Sequence, residues 1–260
     1  MPPKARDLAA PRIASLVPSA TELLVALGLG PWLVARTGFC THPRAALAEV
    51  PKVGGTKDVH LARLQALAPT HVVLNVDENT VATFDAMADW GIERLVTHPQ
   101  GPDDVPALVE QLAAPFAHLP GVRARADALR AELALALSEP PLHPPRTVLY
   151  LIWRAPWMGV AQDTYIARLL AQAGWSPLPA VRGGERGAAR YPTLVPGDPV
   201  WGQADEVWLS SEPYAFEAHH LAEVQALAPQ ARVRQVDGEL CSWWGARTAA
   251  GLAYVRSLRD

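Results

Sequence analysis

The stretch RIASLVPSATELLVALGLGPWLVARTGFCTHP, residues 12–43, decides the fold. It predicts an apolar strand at 13–17, a turn at 18–22, an apolar helix that ends at the Gly-Leu-Gly of 28–30, and a second strand at 33–36. A strand, a helix and a further strand in so short a stretch form the βαβ unit of a parallel sheet. Ser19 and Thr21 begin the helix at the carboxyl end of a strand, where open α/β sheets bind ligands. Either hydroxyl is also a suitable helix cap.

Composition and charge narrow the class of protein. Of the 260 residues, half are hydrophobic and the formal net charge is −3. This charge disfavours nucleic acid or an anionic membrane as the main partner. No apolar run reaches the ~18 residues that span a bilayer. Residues 1–11 lack the apolar centre of a signal peptide, so the sequence as written predicts a cytoplasmic protein. We also expect a monomer. The alternative is a periplasmic or surface-anchored protein whose leader has been removed.

Helices and strands alternate along the rest of the chain and predict two lobes. The N-terminal lobe, residues 12–118, adds helices at 61–68, 80–90 and 105–118 and strands at 71–75 and 92–97. A helix at 122–137 and a proline-rich linker fill residues 119–145. The C-terminal lobe, residues 146–260, has strands at 147–153, 205–209 and 232–236 and helices at 164–173, 218–227 and from 248. We therefore predict an α/β fold of two Rossmann-like lobes with parallel sheets, joined by a single long backbone helix.

The loops after the predicted strands are more polar and aromatic than the helices between them. In the N-terminal lobe they supply Cys40, His42, Glu78 and Asn79 beside the helix-start hydroxyls. In the C-terminal lobe they supply Trp153, Arg154, Trp157, Glu212, Tyr214, Trp243, Trp244 and Arg247. Four tryptophans on one predicted edge, mixed with two arginines, indicate the wall of a cleft for a large, flat or partly apolar ligand.

Metal and catalytic motifs are weak by comparison. Cys40 and His42 are spaced as metal ligands, yet no Cys-x-x-Cys accompanies them, so we predict no metal site. The sequence lacks a Gly-x-Ser-x-Gly elbow, and the glycine-rich residues 183–187 lack the following Lys-Ser/Thr of a phosphate cradle. Glu78, Glu212 and Glu239 could act as acid or base, although most such carboxylates are simply solvated. We predict no catalytic residue, no enzymatic activity and no disulfide between Cys40 and Cys241.

RIASLVPSATELLVALGLG resembles the start of substrate-binding proteins of the iron-siderophore and cobalamin uptake class, especially the cobalamin-binding members. The resemblance continues through GGTKDVHLARLQALAPTHVVLN, LYLIWRAPWMGVAQDTYIARLLAQAGW and SWWGARTAAGLAYVRSL, and covers nearly the whole chain from Arg12. It implies two Rossmann-like lobes bridged by one helix, with the ligand held between them and little hinge motion. It also implies delivery of that ligand to an ATP-driven (ABC) membrane permease.

The sequence departs from this family at two features. Family members are secreted or lipid-anchored, whereas this chain shows no leader. Transport members carry a docking glutamate on each lobe. The corresponding positions hold Ala62-Arg63 and the segment 195–198, where Asp198 could substitute.

The resemblance extends to a subgroup commonly labelled cobalamin-binding, whose motifs add Thr56, Lys57, Arg190 and Tyr191 to the candidate ligand contacts. The first hypothesis is a non-enzymatic protein that binds cobalamin or a related corrinoid and has no cofactor of its own; His42 or Cys40 as a cobalt ligand is an additional guess. The second places a ferric siderophore or haem in the same cleft, because Arg154, Arg190 and Arg247 suit an anionic chelate equally well. The third is a cytoplasmic enzyme or regulator that uses the same scaffold.

Overall fold

Four short apolar segments form the parallel sheet of the N-terminal lobe, in the order β2-β1-β3-β4. The computed structural model describes residues 10–259. The strands are β1 Ile13–Ser15, β2 Leu33–Arg36, β3 His71–Asn75 and β4 Glu93–Thr97. The helices along this half are α1 Pro18–Ala26, α2 Arg44–Leu47, α3 Leu61–Ala66, α4 Val81–Asp85, α5 Val105–Ala113 and α6 Val122–Ser138.

A second parallel sheet, in the order β10-β9-β5-β7, forms the C-terminal lobe. Its strands are β5 Arg146–Leu151, β7 Trp175–Leu178, β9 Glu206–Ser210 and β10 Arg232–Val236, and a small antiparallel pair joins β6 Trp157–Met158 to β8 Thr193–Leu194. The helices are α7 Tyr165–Gln172, α8 Val200–Gln203, α9 Ala218–Leu227, α10 Gly238–Ser242 and α11 Thr248–Ser257.

The chain divides into two compact units that correspond to these lobes. One unit contains the residues up to His98 together with Ala107–Arg130, and the other contains Pro99–Pro106 together with the chain from Ala131 onward. The divisions fall inside α5 and inside α6, so each of these two helices contributes residues to both units. The predicted α/β class, with two lobes and parallel sheets, is confirmed.

Each lobe has its own apolar core. Leu16, Val72 and Leu74 belong to the N-terminal core, and Leu149, Val207 and Leu209 to the C-terminal core. Burial of the inner strands β3, β5 and β9 explains their largely apolar sequences, whereas the edge strands β4 and β10 carry polar and exposed residues. Local signals set the helix starts: Thr80 accepts a hydrogen bond from the Thr83 amide, and Thr164 accepts one from the Ala167 amide, as helix N-caps do.

Strand β7 is the longest strand that the sequence analysis did not predict. Its sequence Trp-Ser-Pro-Leu contains Pro177, and proline argues against a strand. The strand lies at the edge of the sheet, where only one side of the backbone pairs, and this position accommodates the missing N–H. Across residues 10–259, no helix is both long and apolar enough to cross a bilayer.

Candidate functional site

Asn79 holds together three of the loops at the carboxyl edge of the N-terminal sheet. Its buried amide nitrogen donates to the Leu16 carbonyl after β1 (3.2 Å) and to the Thr56 carbonyl (2.9 Å). Its side-chain oxygen accepts from the Asn75 amide at the end of β3 (2.8 Å). Asn79 was predicted as a ligand contact. Because all of these bonds are internal, we interpret it as the residue that fixes the shape of this edge.

Thr21 and Cys40 are also turned into the N-terminal lobe. Both are fully buried. The Thr21 hydroxyl lies 2.8 Å from the Val17 carbonyl and 2.8 Å from Ser15 Oγ, and Cys40 Sγ lies 3.1 Å from Thr37 Oγ1. Burial raises the pKa of the Cys40 thiol, which is therefore neutral. Ser19 Oγ is buried as well. These three side chains shape the edge from within and do not face solvent.

The exposed part of this edge includes an aromatic ring and an ammonium group. Phe39 follows β2 and is 62% exposed, and the exposed Lys57 donates from Nζ to the Asp77 carbonyl (2.6 Å). His98 Nε2 lies 3.6 Å from the Asp77 carboxylate. His42, Thr56 and Glu78 are half-buried nearby in sequence. Phe39 was not predicted as a site residue, although a large apolar residue in an otherwise polar loop was a usable signal.

Trp153 and Tyr214 form the accessible aromatic surface of the C-terminal edge. Trp153 follows β5 and is 40% exposed, and its ring meets that of Tyr214, which follows β9, edge to face at 5.4 Å. The Tyr214 hydroxyl lies 3.2 Å from His220 Nε2. His220 Nδ1 accepts the Glu217 amide, so a neutral His220 carries its hydrogen on Nε2 and donates to the phenol oxygen.

The predicted wall of four tryptophans is not what the structure has, because the other three are buried. Trp157 stacks on Phe216 at 6.1 Å within the core, and the Arg154 guanidinium lies over its ring at 4.6 Å. Arg154 is further held by two bonds to the Glu223 carboxylate (2.9 and 3.0 Å). Sequence gives the edge on which these rings lie but not the rotamer that turns each ring inward or outward.

Glu212 organises the loop before α11. Its Oε1 accepts from Ser242 Oγ (2.6 Å) and from Trp243 Nε1 (2.8 Å). The Arg247 guanidinium lies 4.8 Å from the centre of the Trp243 ring and pairs with Glu239 at 2.7 Å. Burial raises the pKa of Glu212 and outweighs the lowering effect of the two hydrogen bonds. This network joins the ends of β9 and α10, and it uses side chains that were predicted as ligand contacts.

Arg190 is nearly fully buried and does not face solvent. One terminal nitrogen, Nη1, donates to the Gly184 carbonyl (2.7 Å), to Gln100 Oε1 (2.9 Å) and to the Asp163 carbonyl (3.2 Å). Arg190 therefore ties the loop of residues 183–187 to Gln100, and we interpret it as a structural residue. The neighbouring Tyr191 is half-buried.

The two positions that correspond to the docking glutamates of transport proteins hold other residues here. Ala62 and Arg63 lie in α3. The carboxylate of Asp198 accepts the Val195 amide (2.7 Å) and so closes its own turn. Within residues 10–259, no group of three or more His, Cys, Asp or Glu side chains is arranged to hold a metal ion, and both cysteines are free, buried thiols.

Solved structures of periplasmic binding proteins share this fold. No family model matches the sequence. The periplasmic vitamin B12 binding protein BtuF of Vibrio cholerae superposes with a TM-score of 0.80, at 21% identity over 95% of each chain. The periplasmic haem-binding protein HutB of the same organism gives 0.76, at 20% identity over 96% of this chain and 99% of its own. The chain has the fold of the class III periplasmic binding proteins.

Curated sequence relatives agree over part of this class III fold. A vitamin B12-binding protein of Pectobacterium carotovorum is 29% identical over 102 residues, which are 39% of this chain and 37% of that protein. One from Yersinia pestis is 31% identical over 105 residues, 40% and 37% of the two chains. The match thus spans little more than a third of these relatives. The predicted resemblance to substrate-binding proteins of the cobalamin and iron-siderophore class is confirmed. The expected cytoplasmic location has no support, because the structural neighbours are periplasmic proteins.

The raised pKa of Glu212 leads to a prediction about pH. Because the pKa of Glu212 is raised in the native state, the folded protein holds the carboxyl proton more tightly than the unfolded chain does. The contribution of Glu212 to stability therefore grows as pH falls through the raised pKa and is lost above it. Because the same carboxylate accepts the Trp243 indole N–H, we expect tryptophan fluorescence to change in that pH window. Glu212→Gln should abolish this change, whereas the same titration in exposed Glu217→Gln should keep it.

Proposed function

We propose that this protein binds a large planar metal chelate, cobalamin or a related corrinoid, without converting it. One observation carries the proposal: Trp153 presents an accessible ring beside Tyr214 at the carboxyl edge of the C-terminal sheet, while the neighbouring tryptophans are buried. An accessible indole braced by a second ring suits the flat, apolar face of a macrocycle. The named vitamin B12-binding relatives support the corrinoid over other planar ligands.

The N-terminal lobe, taken by itself, presents an exposed aromatic ring and an exposed cationic hydrogen-bond donor. Phe39 is an exposed ring, and Lys57 is an exposed ammonium with one of its three donors engaged by the Asp77 carbonyl. Amide carbonyls or phosphate groups on the rim of a corrinoid would accept from the remaining donors. We include Phe39 and Lys57 in the proposed contacts, and we omit the inward-facing Thr21, Cys40 and Arg190.

We further propose a role in uptake, in which the protein acts in the periplasm and delivers its ligand to an ABC permease. The periplasmic structural neighbours support this proposal. Asp198 is the acidic residue at the second expected docking position. Its carboxylate already caps a turn, so docking through it would use the oxygen atom that the Val195 amide does not occupy.

Calorimetric titration with cyanocobalamin tests the ligand. We expect saturable one-to-one binding and co-elution of the intact chromophore on gel filtration. Trp153→Ala should weaken binding by about tenfold or more, because the exposed ring is removed. The matched control is Trp32→Ala, in the 3₁₀ turn at the amino end of β2, on the opposite edge of its sheet.

Two results would contradict the proposal: no heat and no co-elution, or binding that Trp153→Ala leaves unchanged. Recovery of altered cobalamin would instead favour the enzymatic hypothesis.

The second candidate is haem, which the haem-binding structural neighbours and the Tyr214–His220 pair favour. Tyrosine is one of the residues that ligate haem iron, and His220 lies within hydrogen-bond distance of the Tyr214 oxygen. Titration with hemin, followed in the Soret band, separates the two candidates. If haem is the ligand, Tyr214→Phe changes the spectrum and cyanocobalamin gives no heat.

A further inference from the structure

An open cavity of about 290 Å³ lies at the surface of the C-terminal lobe, between α7 and the segment that follows β7. Its floor includes Ala167 and Ala171, which are four residues apart and so share one face of α7. Two methyl groups on that face leave room that longer side chains would fill. Arg168 and Arg182 border the space.

The two arginines give this cavity a positive charge. Across the described residues, neither Arg168 nor Arg182 lies within ion-pair distance of a carboxylate. Asp163 is the acidic residue of the lining, and its two oxygens accept the Gly183 amide (2.9 Å) and the Gly184 amide (2.8 Å). Both oxygens are thus bonded to the loop backbone, and the lining carries two positive charges against one negative charge.

Packing also restricts the side chain of Arg168. A Cβ built on Gly101 would lie 2.9 Å from Arg168 Cδ, so the aliphatic stem rests directly on the glycine backbone. A stem held in this way loses less conformational entropy when the guanidinium binds a partner. Two guanidinium groups beside one cavity, one of them restrained, form an arrangement that recognises carboxylate or phosphate through paired N–H donors.

We propose that this cavity binds a small oxyanion, a carboxylate or phosphate metabolite, through Arg168 and Arg182. Its volume is at the lower limit of the roughly 300–1,000 Å³ of drug-sized ligand sites, so a corrinoid does not fit. The site is separate from the aromatic edge and does not depend on the proposed function.

Calorimetric titration of the full chain with inorganic phosphate and, separately, succinate at constant ionic strength tests this site. We expect saturable binding of at least one probe. The double variant Arg168→Gln/Arg182→Gln should weaken it at least tenfold. Ala171→Phe fills the cavity from an exposed helix position and keeps both charges, so it should block binding as well. Arg186→Gln, an exposed loop arginine outside the lining, is the matched control and should bind as the wild type does.

Absence of binding by both probes would overturn the proposal. So would binding that survives either the double variant or Ala171→Phe, since the anion would then lie elsewhere. Cyanocobalamin affinity should be the same in the wild type and the double variant. A failure of corrinoid binding therefore leaves the result for the oxyanion site intact, and the reverse also holds.

Discussion

Glu206→Ala is expected to lower the free energy of unfolding by about 3–5 kcal/mol, because it removes one partner of a buried ion pair. Glu206 is fully buried at the start of β9. Its carboxylate accepts from Arg234 Nε (2.8 Å) and Nη2 (2.7 Å) on β10, and Arg146 on β5 lies 3.3 Å away. The carboxylate thus joins three neighbouring strands, and Trp208 Nε1 adds a fourth bond at 2.7 Å.

The loss is large because the partners stay behind. Without Glu206, the largely buried Arg234 guanidinium and the fully buried Trp208 indole N–H lose their carboxylate acceptor, and the desolvation penalty is not repaid. Urea denaturation followed by circular dichroism measures the effect. Glu110→Ala is the control, since Glu110 pairs with Arg123 at the surface, and it should hardly move the midpoint. A loss below about 1 kcal/mol in Glu206→Ala would show that the network is unimportant for stability.

Asn79→Asp is expected to cost about 2–5 kcal/mol of stability, although the two side chains are nearly isosteric. The amide nitrogen donates to the carbonyls of Leu16 and Thr56, and a carboxylate oxygen in its place repels both. Since these bonds hold three loops of the N-terminal edge, we also expect the exposed Phe39 and Lys57 to lose their fixed positions. Ligand affinity should fall with the stability.

Thermal denaturation and cyanocobalamin titration of the same variant test this prediction. Gln111→Glu is the control: its amide donates to the Val96 carbonyl (2.8 Å) at an exposed position, where water replaces the bond. Wild-type melting behaviour in Asn79→Asp would contradict the role of Asn79 as the link between these loops.

Much of the fold could be predicted from the sequence because apolar runs and helix signals act locally. The predicted bounds of β2, β3, α9 and β10 agree with the structure. Strand β7 was missed because Pro177 argues against a strand unless its edge position is known. The short α10 was missed because its five residues carry little periodic signal.

The candidate site was predictable as a set of loops but not as a set of contacts. The ends of the predicted strands identify the loops that form the site, since parallel strands bring their carboxyl ends to one edge. Whether a side chain in such a loop faces solvent depends on tertiary packing. Trp153 and Trp157 are four residues apart in sequence, yet one is exposed and the other stacks in the core. Arg190 looked like an anion contact, but it bonds internal carbonyls.

The two cysteines make each lobe individually observable. Cys40 belongs to the N-terminal lobe and Cys241 to the C-terminal lobe, and these are the two thiols of the chain. Both are buried, and burial raises the pKa of Cys241 to about 12, so neither reacts as a thiolate while its lobe is closed. The rate at which a reagent modifies each sulfur therefore measures how often the lobe that contains it unfolds locally. Cysteine labelling of the native chain thus measures the local unfolding of the two lobes separately.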